Sequence, residues 1–404
     1  MTAVDAARRL GVKQATLYAY VSRGVLTRAR AAGGRGSLFD ADEVERLALR
    51  GRPRRPAGTA DITVESGITE ITADRLRYRG RDAVELAMDR SLEEVAELLW
   101  TGQLPGAGQL PGAGQLPGAP PPYWQASHTA LTCAQAAQAA LPEAVLPLER
   151  FQVIVPAMAA ADPLRLQLDP AAVMAAGRSI VAGMVDCLPP QAARTGLSIA
   201  ARLWSRLCET RPSPGLLRCV SAALVLLADH ELAASTLAAR AAASVRADPY
   251  AVVATGLGAV SGALHGGSSL GAEALLAGAN GSPGEVPRVV GELLRRGERV
   301  PGFGHFVYKS GDPRASALLD LIRSAAPKSA QLAVADAVLG ELRRKSLPGP
   351  NIDFALATLS RVAGMVTGAG EAIFAVARVT GWIAHALEAY TTAPIRPRAV
   401  YTGP

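Results

Sequence analysis

Aromatic residues make up only 4% of this 404-residue sequence, while apolar residues make up 49%. Ala, Leu and Val therefore carry the apolar content. Strands favour aromatic and β-branched residues, whereas Ala and Leu favour helices. A mostly β protein is excluded, and so is a disordered one. Cysteine is scarce too. The four (Cys133, Cys187, Cys208, Cys219) show no CxxC spacing and lie in helix-like, Ala-rich segments. They read as buried thiols of a reducing cytosol, not as disulfide partners or zinc ligands, and no metal cluster is offered elsewhere. The start, Met1-Thr2-Ala3-Val4-Asp5, turns charged at once and does not resemble a signal peptide. The longest apolar run, around Val220–Ala228, falls short of the roughly 18 residues of a membrane span. The expectation is a cytoplasmic protein with no membrane contact.

Charge of one sign is confined to one end. The net charge is +7. Residues 1–57 hold 12 Lys and Arg against 5 Asp and Glu, and the remaining chain holds 30 against 30. An N-terminal contact with a polyanion such as DNA would use that asymmetry; a solvated basic appendage would show it as well.

Residues 1–50 form a candidate small domain. Val4–Leu10 spaces Val4, Ala7 and Leu10 on one face, and Gly11 breaks it. Lys13–Arg23 is a second helix ended by Gly24. Leu26–Phe39 reads as a hairpin or wing around Gly33-Gly34-Arg35-Gly36, and Asp40 can cap a third helix over Asp42–Leu49. Helix, Gly-containing turn, helix is the helix-turn-helix pattern. Residues 51–61 are a Pro-, Gly- and Arg-rich linker, and the main body spans 62–404. Within it, 102–119 is three tandem copies of Gly-Gln-Leu-Pro-Gly-Ala, which reads as an expanded surface loop. Beyond Pro121 the pattern is helical over Leu148–Ala161, Ala171–Asp186, Gln191–Glu209, Gly215–Asp229, Leu232–Arg246, Ala315–Ala326, Ala330–Lys345 and Glu371–Tyr390. One short strand near Ile62–Val64 is the only strand expected in the body. The fold class is all-α, one large multi-helix body plus a small N-terminal module.

Histidine is also sparse, at five residues. His265 and His305 lie beside glycines, in GALHGG and PGFGH, where the backbone can turn and a ligand can approach. His230 sits at a helix junction in Asp229-His230-Glu231. Asp353 follows Pro348-Gly349-Pro350-Asn351 at a helix start, where the helix dipole alone would favour a carboxylate. Arg314 begins another helix, where a cation is unfavourable unless an anion meets it. Arg378 lies mid-helix on a stripe with Phe374 and Trp382, and a buried Arg needs an anion. Gly256-Leu257-Gly258…Gly262 lacks the preceding strand and full fingerprint of a dinucleotide loop.

Taken in order, GALHGG, VPGFGHFVYKSGDPRA and NIDFALATL resemble the signature segments of citrate synthases. DHELAASTLAAR resembles a fourth, and RYRGRDAVELA (77–87) and IRPRAVYTG resemble the family's opening and closing segments. The resemblance covers about 62–404 and implies a homodimer with large and small subdomains. It implies condensation of acetyl-CoA, or propionyl-CoA, with oxaloacetate to citrate or 2-methylcitrate and CoA, with a CoA thioester as substrate and no bound cofactor. Asp353 would take a proton from the methyl group of acetyl-CoA, His265 would hydrogen-bond the thioester oxygen, and His305 would polarise the ketone. His230, Arg314, Arg378 and Arg396 would hold the oxaloacetate carboxylates, Arg396 reaching from a partner subunit. Val300, Gly302 and Gly304 would receive the adenine and Lys309 a CoA phosphate. Many family members carry Asn at the position of Ala233, Ala-Asn at Ser268-Ser269 and Arg at Phe306. These departures bear on substrate identity more than on activity.

The segment AARRLGVKQATLYAYVSRGVL resembles the helix-turn-helix of MerR-like regulators. It implies DNA-facing roles for Lys13, Gln14, Thr16, Tyr18 and Arg23; a packing module that binds no DNA has the same pattern. A second reading of the whole chain is a regulator whose synthase-like body senses a metabolite without catalysis.

Overall fold

The computed structural model describes residues 1–10, 12, 14–22, 26–30, 37–41, 43–44, 63–106, 123–266, 268–309 and 311–397. The 51–61 linker and residues 107–119 of the repeat lie outside the described residues. The chain divides into two compact units, Met1–Val64 and Glu65–Pro404.

The first unit has helices Ala3–Leu10 and Gln14–Ser22 and an antiparallel pair, Arg28–Arg30 with Ser37–Phe39, in the register Arg28↔Phe39. Ala6, Ala7, Leu17, Leu26, Phe39 and Val44 make its core. Val4, expected on the apolar face, is 52% exposed; Ala6 takes the inward place. Asp40 Oδ1 accepts the Glu43 amide at 3.0 Å, the capping contact that a short polar side chain supplies. Of the third helix, 45–49 lies outside the described residues.

The second unit is a helix assembly around one apolar core. Several of its helices start on the same device. Asp169-Pro170, Ser213-Pro214, Asp248-Pro249 and Asp312-Pro313 each place an N-cap acceptor before a proline at the first helical position. The cap oxygen satisfies a free amide, and proline needs no partner there. Pattern and structure agree within one to three residues for most helices. The exception is Gln191–Glu209, whose helix runs only from Ile199 to Leu207. Gln191 and Ala192 instead donate their amides to Ser205 O at 2.9 and 3.0 Å, and Ser198 caps the helix.

Strand content in the body was underestimated. Thr69–Ile71, Leu76–Tyr78 and Arg81–Asp82 form a three-stranded antiparallel sheet, and residues 63–64 are not strand. Runs of two or three residues are too short to show alternation. Their role is positional: the Tyr78 hydroxyl lies 3.1–3.2 Å from the carbonyls of Val225, Leu226 and Asp229. It thereby fixes the end of the Pro214–Leu226 helix beside His230.

The Ala369–Ala389 helix is long and apolar enough to cross a membrane by length and composition, longer than any run the sequence suggested, yet 89% of its apolar window is buried in the fold. It is the central core helix. Cys187, Cys208 and Cys219 are buried as expected, whereas Cys133 is exposed on the Ala-rich His128–Gln138 helix. The Gly256–Gly258 stretch lies inside the Pro249–Val260 helix. A Cβ at Gly256 would come within 2.7 Å of Trp382, so that glycine serves helix packing.

Candidate active site

Two segments are clipped together to form one wall of the site. Gly302 O accepts the Asn351 amide at 2.9 Å, Gly304 donates to Gly349 O at 2.8 Å, and Asn351 Nδ2 donates to Gly304 O at 3.0 Å. Gly302 has φ +80°, and a Cβ there would meet Phe354 at 2.8 Å, so no other residue fits. Asn351 also caps the helix that begins at Ile352, accepting from the Asp353 amide at 3.0 Å.

Asp312 is the anion that the position of Arg314 requires. It is 2% exposed and takes Arg314 Nε at 3.0 Å and Nη2 at 2.9 Å in a two-point pair. Its second oxygen accepts the Ile352 amide at 3.1 Å, which ties the helix carrying Arg314 to the one carrying Asp353. That geometry is the strong one for guanidinium and carboxylate.

The histidines are set as neutral rings. His305 Nδ1 accepts the amides of Val307 and Tyr308 at 3.0 and 3.2 Å. That leaves the proton of the neutral ring on Nε2, which lies 3.4 Å from Arg314 Nη2. Two donors thus converge on one space. Burial, then the Arg314 charge, pulls the His305 pKa down to about 4. His265 Nε2 meets Ser235 Oγ at 2.8 Å, and its ring stands edge-on to Phe374 at 5.6 Å. Burial, then Arg378, brings its pKa to about 4 as well. His230 Nε2 lies 3.2 Å from the Tyr308 hydroxyl and 5.4 Å, ring to ring, from His305. Burial and the nearby arginines hold its pKa well below the usual value.

Arg378 is 1% exposed. Its Nε donates to Leu227 O at 2.9 Å, its guanidinium lies 4.6 Å from the Phe374 centroid, and its Nη1 is buried without an acceptor. Burial lowers its pKa to about 10. A buried donor without a partner is costly, so this nitrogen is a place prepared for an anion. The Asp353 carboxyl accepts the Ser269 hydroxyl at 3.1 Å; burial raises its pKa, and the hydroxyls of Ser268 and Ser269 oppose that rise. Beneath the site, Asp229 is fully buried, taking Thr69 Oγ1 at 2.6 Å and His385 at 3.4 Å, with His385 in turn 2.8 Å from Arg240.

Val300, Gly304, Lys309 and His305 line one cleft of about 870 Å³, with Leu264 and Phe306 exposed on its walls. Lys309 is exposed and lies 5.4 Å from the Phe306 ring. Ala233 starts the Ala234–Ser244 helix with no side-chain cap. Arg396 is exposed and has no hydrogen bond or ion pair among the described residues, so this chain alone does not bring it to the cluster. In the first unit, Thr16 is exposed and Tyr18 is 39% exposed, its hydroxyl bonded to Ser37 at 3.2 Å and its ring under Arg28 at 5.7 Å. Gln14 begins that helix; Lys13 and Arg23 lie outside the described residues. Ser235, Tyr308, Asp312 and Ser269 were not singled out for a role by sequence reasoning. Only the unsatisfied position of Arg314 signalled one of them.

Residues 58–398 match the family model "Citrate synthase, C-terminal domain", and residues 1–51 match "MerR HTH family regulatory protein". The chain belongs to the citrate synthase family. It is 32% identical over 377 residues to citrate synthase 2 of Bacillus subtilis, covering 85% of this chain and 94% of that one. It is 33% identical to the citrate synthase of Haloferax volcanii over 85% and 94% of the two chains. It is 29% identical to a 2-methylcitrate synthase of Mycobacterium tuberculosis over 87% and 91%. The citrate synthase structure from Thermotoga maritima matches with a TM-score of 0.69 at 25% identity, over 86% of this chain and 96% of that one. The family resemblance, the helical fold and the assignment as an acyltransferase are thereby established. Members of the citrate synthase family use a CoA thioester as substrate and require no bound metal or cofactor.

Proposed function

We propose that this chain condenses a short acyl-CoA with oxaloacetate and then releases CoA by hydrolysis, giving citrate from acetyl-CoA or 2-methylcitrate from propionyl-CoA. The observation that carries this reading is the convergence of His305 Nε2–H with Arg314, together with the acceptor-free Nη1 of buried Arg378. These donors suit a ketone flanked by carboxylates. Neutral histidines can donate to oxygens that gain charge without first losing a proton of their own.

In this scheme Asp353 takes the α-proton of the thioester. His265, oriented by Ser235, donates to the thioester oxygen as it becomes an enol or enolate. The carbon then attacks the oxaloacetate ketone, whose oxygen gains its proton from the His305 side. Water finally cleaves the thioester bond, and CoA leaves as the thiol. His230 and Arg314 hold one end of oxaloacetate and Arg378 the other. The 870 Å³ cleft takes CoA, with Val300 and Gly304 at the adenine and Lys309 at a phosphate, while Gly302, also expected there, is buried and does not line the cleft. A homodimer would let Arg396 complete the neighbouring subunit's oxaloacetate site.

Acetyl and propionyl groups differ by one methylene, worth about 1–3 kcal/mol in an apolar pocket. CoA release should therefore be measurable with both, at rates within roughly 10³-fold. No release with either acyl-CoA in the presence of oxaloacetate would refute the reading and leave the metabolite-sensing alternative. The MerR match and the basic residues 1–57 favour one addition, that the N-terminal unit contacts DNA.

A further inference from the structure

Away from the condensation site, a pocket of about 440 Å³ sets Gln135, Gln138, Arg150, Asp186 and Arg206 against an apolar side formed by Leu and Pro residues. It shares no residue with the catalytic cleft. Its charges do not balance. Asp186 is the carboxylate that the local arginines share, and its oxygens are already committed. Oδ1 takes Arg194 Nη2 at 2.7 Å and Arg202 Nε at 3.1 Å, and Oδ2 takes Arg202 Nη2 at 2.6 Å. Arg202 is fully buried and otherwise satisfied by the carbonyls of Trp124 and Ala182. Arg150, 7% exposed, is held by the carbonyls of Pro142 and Glu143 at 2.9 and 3.4 Å and by Gln138 Oε1 at 3.5 Å.

Arg206 is what remains. Its Nε is buried and has no acceptor, and it forms no ion pair with any described residue. Burial, and then the neighbouring Arg194 charge, lowers its pKa. A half-buried guanidinium that feels Asp186 only at a distance, with that carboxylate already taken by Arg194 and Arg202, is unfavourable unless a further anion answers it. A guanidinium fork matches the paired oxygens of a phosphate or carboxylate.

We propose that this pocket is a binding site for a small multivalent oxyanion, held by Arg206 with Arg150 beside it and separate from the site of condensation. The ligand chemistry is a phosphate or a polycarboxylate, since both offer paired oxygens. The site would make the body responsive to the anion supply around it.

The test uses the full chain with two probes, inorganic phosphate and malonate, read by thermal melting and calorimetric titration. Each probe is applied to the parent, to Arg206→Gln and to Arg378→Gln, the last removing one of the anion contacts of the condensation site. At least one probe should raise the melting temperature of the parent and of Arg378→Gln by roughly 2 °C or more. Arg206→Gln should not respond to that probe. Response to phosphate alone supports a phosphate ligand, and response to malonate alone a carboxylate. Without anion, Arg206→Gln should melt no lower than the parent, because it removes an unanswered charge, and it should keep parental CoA release. Arg206→Lys, which keeps the charge, should retain part of the response. The proposal is overturned if neither probe stabilises the parent, if Arg206→Gln responds as fully as the parent, or if it melts several degrees lower without anion.

Discussion

The two units of this chain treat positive charge in opposite ways. In the body, buried arginines are answered from within: Arg314 by Asp312, Arg202 by Asp186, Arg240 by Glu388. Buried Arg378 and half-buried Arg206 each carry a nitrogen with no acceptor and, unlike Arg90, which also has such a nitrogen, no ion pair among the described residues to offset it. In the N-terminal segment the basic excess accounts for the whole net charge of +7, and the Gln14–Ser22 helix has no acidic residue in its first turn. Charge that is paired internally positions side chains, and charge left over marks where something else binds. On the proposed reading, the unanswered guanidinium nitrogens of the charge-balanced body would meet small anions, and the basic excess of residues 1–57 an extended one.

The largest expected effect lies in the body. Asp353→Asn removes the base while leaving the arginines and histidines, so turnover should fall by at least about 10²-fold, measured as CoA release at saturating oxaloacetate. A rate within a few-fold of the parent would reduce Asp353 to a first-turn carboxylate. The next effect belongs to the N-terminal unit. Binding of the full chain to genomic DNA fragments, followed by gel shift, should weaken by at least roughly tenfold from low to physiological salt, because phosphate contacts release counterions. A 61–404 fragment that binds equally would place the DNA contact elsewhere or nowhere.

A smaller effect sharpens the account of the base. The Ser269 hydroxyl donates to the Asp353 carboxylate and so favours its ionised form. Ser269→Ala should raise the Asp353 pKa further. The acidic limb of the rate profile should then move to higher pH. Activity should recover at higher pH; a uniform loss at every pH would instead indicate a packing defect.

How much of this was legible beforehand depended on the range of the signal. Helix starts were readable because a cap and a proline act on their own neighbours, as at Ser213-Pro214. His265 and His305 stood out because glycines flank them in sequence. Ser235 carried no such mark: it lies 30 residues from His265, and only the packing of helices joins them. Asp312 stands two residues before Arg314 yet was seen only as part of a helix start, since its pairing depends on how the Arg314 side chain turns back. The strand holding Tyr78 was invisible because its three residues give no period, although its hydroxyl sets the backbone beside His230. Arg396 was assigned by resemblance alone, and no hydrogen bond or ion pair among the described residues ties it to the site.

The central claim is that catalysis resides in the body and turns on Asp353. The most direct measurement compares CoA release from acetyl-CoA and oxaloacetate by the full chain, by the 61–404 fragment and by full-length Asp353→Asn in one assay. The account predicts that the fragment matches the full chain within about twofold while the variant falls at least about 10²-fold below both. A fragment as impaired as the variant, or a variant as active as the fragment, would contradict it.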